Sequence, residues 1–323
     1  PGAPYEPKIA NNVAMAGALG LFGGVGLAFV LAFLDNTVRT REDLERLVNS
    51  PCLGMVPQIK RLPASRLEAA RKLDLSAAER PDSSVSEAYR SIRTSLMFSR
   101  PDGPPKTILV TSAGPGEGKT TACINLATVL AQNGSKVLLI DGDLRKPRMH
   151  KTFGVPGSPG LTEQTVENRV QQMHETGIDG VRLLPAGTVP PNPAELIGSA
   201  ALQRFLKAAQ SPYDHIIIDS PPVMGLADAL IGSTIVDATL MVIGAGQISK
   251  QALREAYKRL FSVRAPVIGC LLNGIDMESS EYAYYTRYYY NYGDVEQENG
   301  RKGLARIADL ASFSQGQRGR KTG

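Results

Sequence analysis

The stretch Ala113-Gly-Pro-Gly-Glu-Gly-Lys-Thr-Thr has the residue types and spacing to hold a polyphosphate. Glycines at 114, 116 and 118 let successive backbone N–H groups curl around an anion, and a helix opening just beyond adds positive potential. Lys119 can reach the terminal phosphates, and the Thr120 hydroxyl can bind Mg²⁺. Gly114, Gly116, Glu117, Gly118, Lys119, Thr120 and Thr121 are therefore the candidate nucleotide contacts. The β-branched run Thr107–Ser112 precedes the loop and a helical run follows it. That context separates the loop from a Gly-rich turn that happens to carry a surface lysine.

Two further segments end an apolar run in carboxylate. In VLLIDGDLRKP, Asp141 and Asp143 stand two apart, so on extended backbone their side chains point the same way. In HIIIDSPP, Asp219 ends a buried-strand pattern. Open α/β sheets place ligands at the carboxyl ends of their strands, so these aspartates converge on the phosphates. Two carboxylates can serve Mg²⁺, directly or through water, and a third can take the proton of an attacking hydroxyl; spacing alone does not say which. Lys119, Asp141, Asp143 and Asp219 are the candidate catalytic groups, and ATP with Mg²⁺ is the implied ligand pair.

An acceptor hydroxyl is supplied by the chain itself. Seven of its eleven tyrosines, Tyr282, Tyr284, Tyr285, Tyr288, Tyr289, Tyr290 and Tyr292, lie within eleven residues. The chain has no tryptophan and only 6% aromatics, so composition does not explain the cluster. It follows neither the period of a strand nor that of a helix. Alone, it also fits an aromatic tail, a stacking surface or a membrane-interface belt.

The elements that must position these groups read as α/β. Strand patterns fall at 107–112, 137–141, 181–184, 215–219, 239–243 and 267–272. Helical patterns fall at 85–98, 120–132, 200–209 and 250–263. Buried strands alternating with helices predict a mostly parallel sheet covered on both faces. Residues 83–281 are taken as this nucleotide-binding domain. Residues 35–82 read as a connector, with a short helix near 41–49, the turn-rich PCLGMVP, and a helical stretch near 64–79. Gly293–Gly323 is polar and reads as a disordered tail.

Upstream, Val13–Leu34 carries no charge and is apolar all round. As a helix it would span roughly 33 Å, enough for a bilayer core. A cleavable leader fits less well, because the apolar run is too long and no basic segment of the usual kind precedes it. Arg39, Arg41 and Arg46 follow the span and only Lys8 precedes it, which places the C-terminal part in the cytoplasm. Ala16, Gly20, Gly24, Ala28 and Ala32 give a small-residue face suited to helix association. Residues 1–12 space Pro1, Pro4 and Pro7 three apart, as a polyproline segment entering the membrane would, and Pro1 in place of Met suggests a fragment. Net charge +5 without a basic stripe interleaved with aromatics argues against nucleic acid and suits anionic lipid. Three isolated cysteines and three patternless histidines offer no metal-ligand spacing.

Together these motifs resemble the bacterial tyrosine kinases of capsule and exopolysaccharide synthesis, over residues 1–292. The family's Walker A, A′ and B motifs fall at Ala113–Thr121, Asp141–Arg145 and Ile216–Pro222, and GTVPPNPAEL at 187–196 is similar to its sequence. The resemblance implies a P-loop fold with one transmembrane helix in the inner membrane and a cytoplasmic kinase domain. Lys119 would hold the phosphates, Thr120, Asp143 and Asp219 the Mg²⁺, and Asp141 would assist the tyrosine hydroxyl. The family's ExxRxxR motif falls at Glu87, Arg90 and Arg93, which share one helix face. Without the family, that face reads as a solvated salt-bridge face; the resemblance makes it a contact in a ring-like homo-oligomer. Each tyrosine tail would then enter the neighbouring site. Residues 1–34 resemble the end of a polysaccharide chain-length determinant module, whose larger extracytoplasmic part would lie upstream. The polysaccharide synthesis and export machinery and a cognate tyrosine phosphatase are the implied partners. Two other readings are a partitioning-type P-loop ATPase and a structural chain-length regulator switched by nucleotide. The first usually has a lysine where Gly114 stands, and the second would not need Lys119, Asp141, Asp143 and Asp219 intact.

Overall fold

A computed structural model describes residues 9–34, 36–59, 65–166 and 173–277. The apolar runs become strands of one sheet. These are β1 (Cys52–Pro57), β2 (Thr107–Ser112), β3 (Val137–Asp141), β4 (His174–Glu175), β5 (Val181–Leu184), β6 (His215–Asp219), β7 (Ala238–Gly244) and β8 (Val267–Ile275). Their order across the sheet is β1-β8-β7-β2-β6-β3-β5-β4. Neighbours pair in parallel except the short antiparallel β4–β5 edge.

The helices are α1 (Ile9–Leu34), α2 (Arg41–Leu47), α3 (Arg66–Asp74), α4 (Ser76–Glu79), α5 (Ser84–Met97) and α6 (Lys119–Ala131). They continue with α7 (Met149–Phe153), α8 (Leu161–Val166), α9 (Pro193–Ile197), α10 (Ala200–Ala209), α11 (Asp228–Ser233) and α12 (Lys250–Ser262). Polar caps set several starts: Ser83, Ser199 and Ser249 each accept a backbone N–H three residues on, opening α5, α10 and α12.

Strand periodicity sends alternate side chains of the sheet to two apolar layers. Ile108 and Val110 of β2 pack with Ile92 and Leu96 of α5 and with Ile124 of α6. Leu109, between them, faces Leu202 and Leu206 of α10 on the other side. Each fully buried Leu or Ile contributes about 1.5–3 kcal/mol of transfer free energy, so both layers hold β2 rigidly in the middle of the sheet. Helix α6 is lined with buried residues nearly all round, which fixes the phosphate loop that leads into it.

The structure corrects the reading of 35–82. PCLGMVP is not a turn but edge strand β1, whose residues pair with β8 from Cys52↔Cys270 to Pro57↔Ile275. Pro57 is tolerated because it ends an edge strand. A side chain at Gly54 would run into Ile92, so the small residue lets α5 lie close. Val38, Leu44 and Val48 join the core under α12, and Leu75 and Ala77 join the layer beside α6. The segment is built into the domain rather than strung before it.

Helix α1 is, by length and composition, the one described helix able to cross a membrane, with Asn11–Val30 its most apolar window. Cys123 and Cys270 are buried core residues, and His215 is buried with Nδ1 2.9 Å from the Pro105 carbonyl oxygen.

Candidate functional site

The site forms at the carboxyl ends of β2, β3 and β6. Parallel pairing puts Val110 beside Asp219 and Asp219 beside Asp141, so two acids from distant segments become neighbours. The phosphate loop runs from the end of β2 into α6, with Gly116 (φ 85°) and Gly118 (φ 95°) in the left-handed region. Gly118 also has no room for a side chain: a Cβ would strike the Asn273 amide nitrogen, which donates to the Glu117 carbonyl at 2.9 Å. Glu117 points its carboxylate into the protein. It accepts the Gly114 N–H and, at 2.9 Å, the Gly244 N–H at the end of β7. Burial raises its proton affinity, and these amides oppose that. The Glu117 side chain therefore ties the loop to β7, and the loop's backbone is left to meet phosphate.

Lys119 and Thr120 are buried in the first turn of α6. The Thr120 hydroxyl donates to Asp219 Oδ2 at 2.5 Å. Asp141 Oδ2 accepts the backbone N–H groups of Arg148 (3.0 Å) and Met149 (2.9 Å). The other carboxylate oxygens, Oδ1 of Asp141 and Oδ1 of Asp219, are buried without a hydrogen-bond partner among the described residues. Burial, then the neighbouring Asp219, push the Asp141 carboxyl up to about 7, against the two amides. Burial also lifts Asp219 to about 6, opposed by Lys119 and the Thr120 hydroxyl. Asp143 is half-buried, with Oδ1 accepting the Lys146 N–H at 3.0 Å.

Two buried, orphaned carboxylate oxygens beside a threonine hydroxyl and a lysine fit a hydrated cation and a polyphosphate. Among the described residues no group of three or more His, Cys, Asp or Glu could cage a metal. Mg²⁺ in such sites is held by one or two carboxylates together with phosphate oxygens and water.

Several groups around the site were not legible as functional in the sequence. Asp74, at the end of α3, is fully buried and accepts Arg148, Thr121 and Thr152. Arg145 of the Asp141–Arg145 motif pairs with buried Asp228 at 2.7 and 3.0 Å, fixing the far end of that turn. Asp74 and Asp228 lie far along the chain from their partners, and nothing local marks them.

Glu87, Arg90 and Arg93 lie on α5, and all three have contacts within the chain. Arg90 pairs with Glu87 and donates to the Pro81 carbonyl at 2.8 Å, and Arg93 donates to the Val129 carbonyl near the end of α6 at 2.7 Å. The seven clustered tyrosines lie outside the described residues.

A family model described as an AAA domain matches residues 105–266. The chain is 40% identical over 215 residues to tyrosine-protein kinase YwqD of Bacillus subtilis, covering 65% of this chain and 90% of that protein. It is 32% identical over 297 residues to tyrosine-protein kinase etk of Escherichia coli, covering 87% of this chain but only 41% of that longer protein. Among solved structures, the kinase domain of Escherichia coli tyrosine kinase ETK matches with a TM-score of 0.68 at 30% identity. That match covers 75% of this chain and 97% of the solved one. The chimerical protein CapA2B2 matches with a TM-score of 0.66 at 32% identity, over 73% of this chain and all of that one.

Proposed function

This chain belongs to the bacterial tyrosine-protein kinases, and from that premise we propose that it is a membrane-anchored, ATP-dependent autokinase acting on Tyr282–Tyr292 of a neighbouring copy. In this reading α1 anchors it in the inner membrane, the kinase domain is cytoplasmic, and phosphorylation regulates polymerisation and export of a capsular or extracellular polysaccharide. The observation that carries it is the meeting of Lys119, Thr120, Asp219 and Asp141 at adjacent strand ends, with two carboxylate oxygens left unpaired.

The backbone amides of Gly116–Thr121 and the Lys119 ammonium hold the nucleotide phosphates, since the Gly114 N–H is taken by Glu117 and Pro115 has none. Thr120, Asp219 and Asp143 would hold Mg²⁺, which when bound neutralises charge on the phosphates. A tyrosine oxygen attacks the terminal phosphorus of ATP, the bond to the β-phosphate oxygen breaks, and ADP leaves. Asp141 receives the phenolic proton on Oδ1, since Oδ2 is engaged by two amides. Its raised proton affinity makes it a better base than an ordinary carboxylate.

The test uses the full chain in detergent micelles with Mg–ATP, with phosphate mapped by mass spectrometry. Phosphotyrosine within 282–292, abolished by Lys119→Met, supports the reading. Mixing the Lys119→Met chain with a copy carrying phenylalanine at all seven tyrosines should phosphorylate the former, as transfer between copies requires. ATP hydrolysis without phosphotyrosine would overturn it in favour of a partitioning-type ATPase.

A further inference from the structure

We infer that Asp74 is a positioning residue for phosphoryl transfer, holding the Arg148 guanidinium in place so that the Arg148 backbone presents Asp141 to the acceptor. The inference rests on the kinase reading above. Asp74 ends α3, in the segment between the apolar helix and the kinase core. Its carboxylate is fully buried. It accepts Arg148 Nη1 at 2.8 Å, Arg148 Nη2 at 2.9 Å, Thr121 Oγ1 at 2.6 Å and Thr152 Oγ1 at 2.7 Å. Each donor stands close to catalytic machinery. Thr121 follows Thr120 in the first turn of α6, and Arg148 Nη2 also reaches Thr121 Oγ1 at 3.2 Å. The Arg148 and Met149 N–H groups are the two that hold Asp141 Oδ2.

Docking of this segment onto the domain does not require Asp74. Asn125 of α6 does that separately. Its Oδ1 accepts the Ala77 N–H at 2.8 Å and Ser76 Oγ at 2.9 Å, and its Nδ2 donates to the Leu73 carbonyl at 3.0 Å. Gln132 adds a bond to the Ala77 carbonyl at 3.1 Å. The pair itself adds little net stability, because 36% of the Arg148 side chain stays exposed and water screens the attraction. What the pair does provide is a fixed cation. The charges of Asp141 and Asp219 also act on this guanidinium, helping to raise its proton affinity. Without Asp74 it would turn to them, pulling the 148–149 amides out of register and occupying the base. A misplacement of about 1 Å in such a site costs up to about 100-fold in rate.

Asp74→Asn, Arg148→Met and the double variant separate this from a role in folding alone. The full-length chain is assayed in micelles for its initial rate of phosphotyrosine formation at saturating Mg–ATP. Affinity for a fluorescent ADP analogue and the melting temperature are measured alongside. Asp74→Asn should slow phosphorylation by about 10- to 100-fold while nucleotide affinity stays within about 3-fold. The double variant should be no slower than Asp74→Asn, because the damage comes from the freed cation. A wild-type rate in Asp74→Asn would overturn the inference. So would rate, affinity and melting temperature falling together, or losses that multiply in the double variant. If the wild-type chain makes no phosphotyrosine, the kinase reading fails before the variants are compared.

Discussion

Asp141 shows the conflict built into the site at the scale of one residue. It is buried beside Asp219, and with no cation present its carboxyl is pushed from 3.8 up to about 7. The folded state then keeps a proton that the unfolded state gives up near pH 4. This acid therefore lowers stability progressively as pH rises from about 4 to about 7, and by a constant amount above that. Asp141→Asn keeps an acceptor for the Arg148 and Met149 amides and removes the charge. In EDTA at pH 8 it should stabilise the chain by about 1–3 kcal/mol, with the gain shrinking to nothing near pH 4. The same substitution should slow tyrosine phosphorylation by about 100-fold or more, because the proposed proton acceptor is gone. Urea melts at the two pH values and a phosphotyrosine assay check both halves. A less stable Asp141→Asn at pH 8 would mean that the amide bonds outweigh burial and repulsion.

At the scale of elements, the phosphate loop is shaped by neighbours as much as by its own glycines. Gly118 (φ 95°) and Gly103 (φ 101°) both sit where an L-residue is strained, but only Gly118 also abuts Asn273 on β8. Alanine at either should cost about 1–2 kcal/mol of backbone strain. Only Gly118→Ala should also displace Asn273, release the Glu117 carbonyl and weaken ADP binding by about 10-fold or more. Equal nucleotide affinity in the two variants, measured by fluorescence titration, would show that β8 does not shape the loop. The contrast also marks what a sequence can and cannot reveal. Thr107–Ser112, Val137–Asp141 and His215–Asp219 were legible to the residue because each is a short apolar run bounded by turn or motif residues. β1 was not, since its glycine and flanking prolines look like a turn until β8 supplies the missing hydrogen bonds. Asp74 was hidden for a related reason. In RLEAARKLD its charge reads as one more solvated position on a polar helix, and the arginine that buries it comes 74 residues later.

At the scale of the whole molecule, the proposed tail and the Glu87–Arg93 face must work against each other. Each phosphotyrosine carries about −1.5 to −2 charges, so about three are enough to cancel the chain's formal +5. Seven such groups within eleven residues would repel one another and the Asp141, Asp143 and Asp219 carboxylates of any site they occupy. Phosphorylation should therefore expel the tail and loosen the oligomer. Mass photometry of the full chain in micelles should show assemblies before Mg–ATP and smaller species after. The variant with phenylalanine at all seven tyrosines should stay assembled under both conditions. The proposed contact face can be tested separately through Glu87, the most exposed of its three residues, with 54% of its side chain accessible and, among the described residues, only Arg90 as its side-chain partner. Arg90 and Arg93 are poorer probes, because both hold backbone carbonyls within the chain. An exposed pair three residues apart on a helix is worth only about 0.5 kcal/mol, so Glu87→Arg should leave the fold intact. It should place a third cation on the face, abolish assembly and make phosphotyrosine formation second order in protein, recovering as the chain is concentrated. An unchanged rate at high dilution would mean that the tail reaches its own site and that the α5 face serves another purpose.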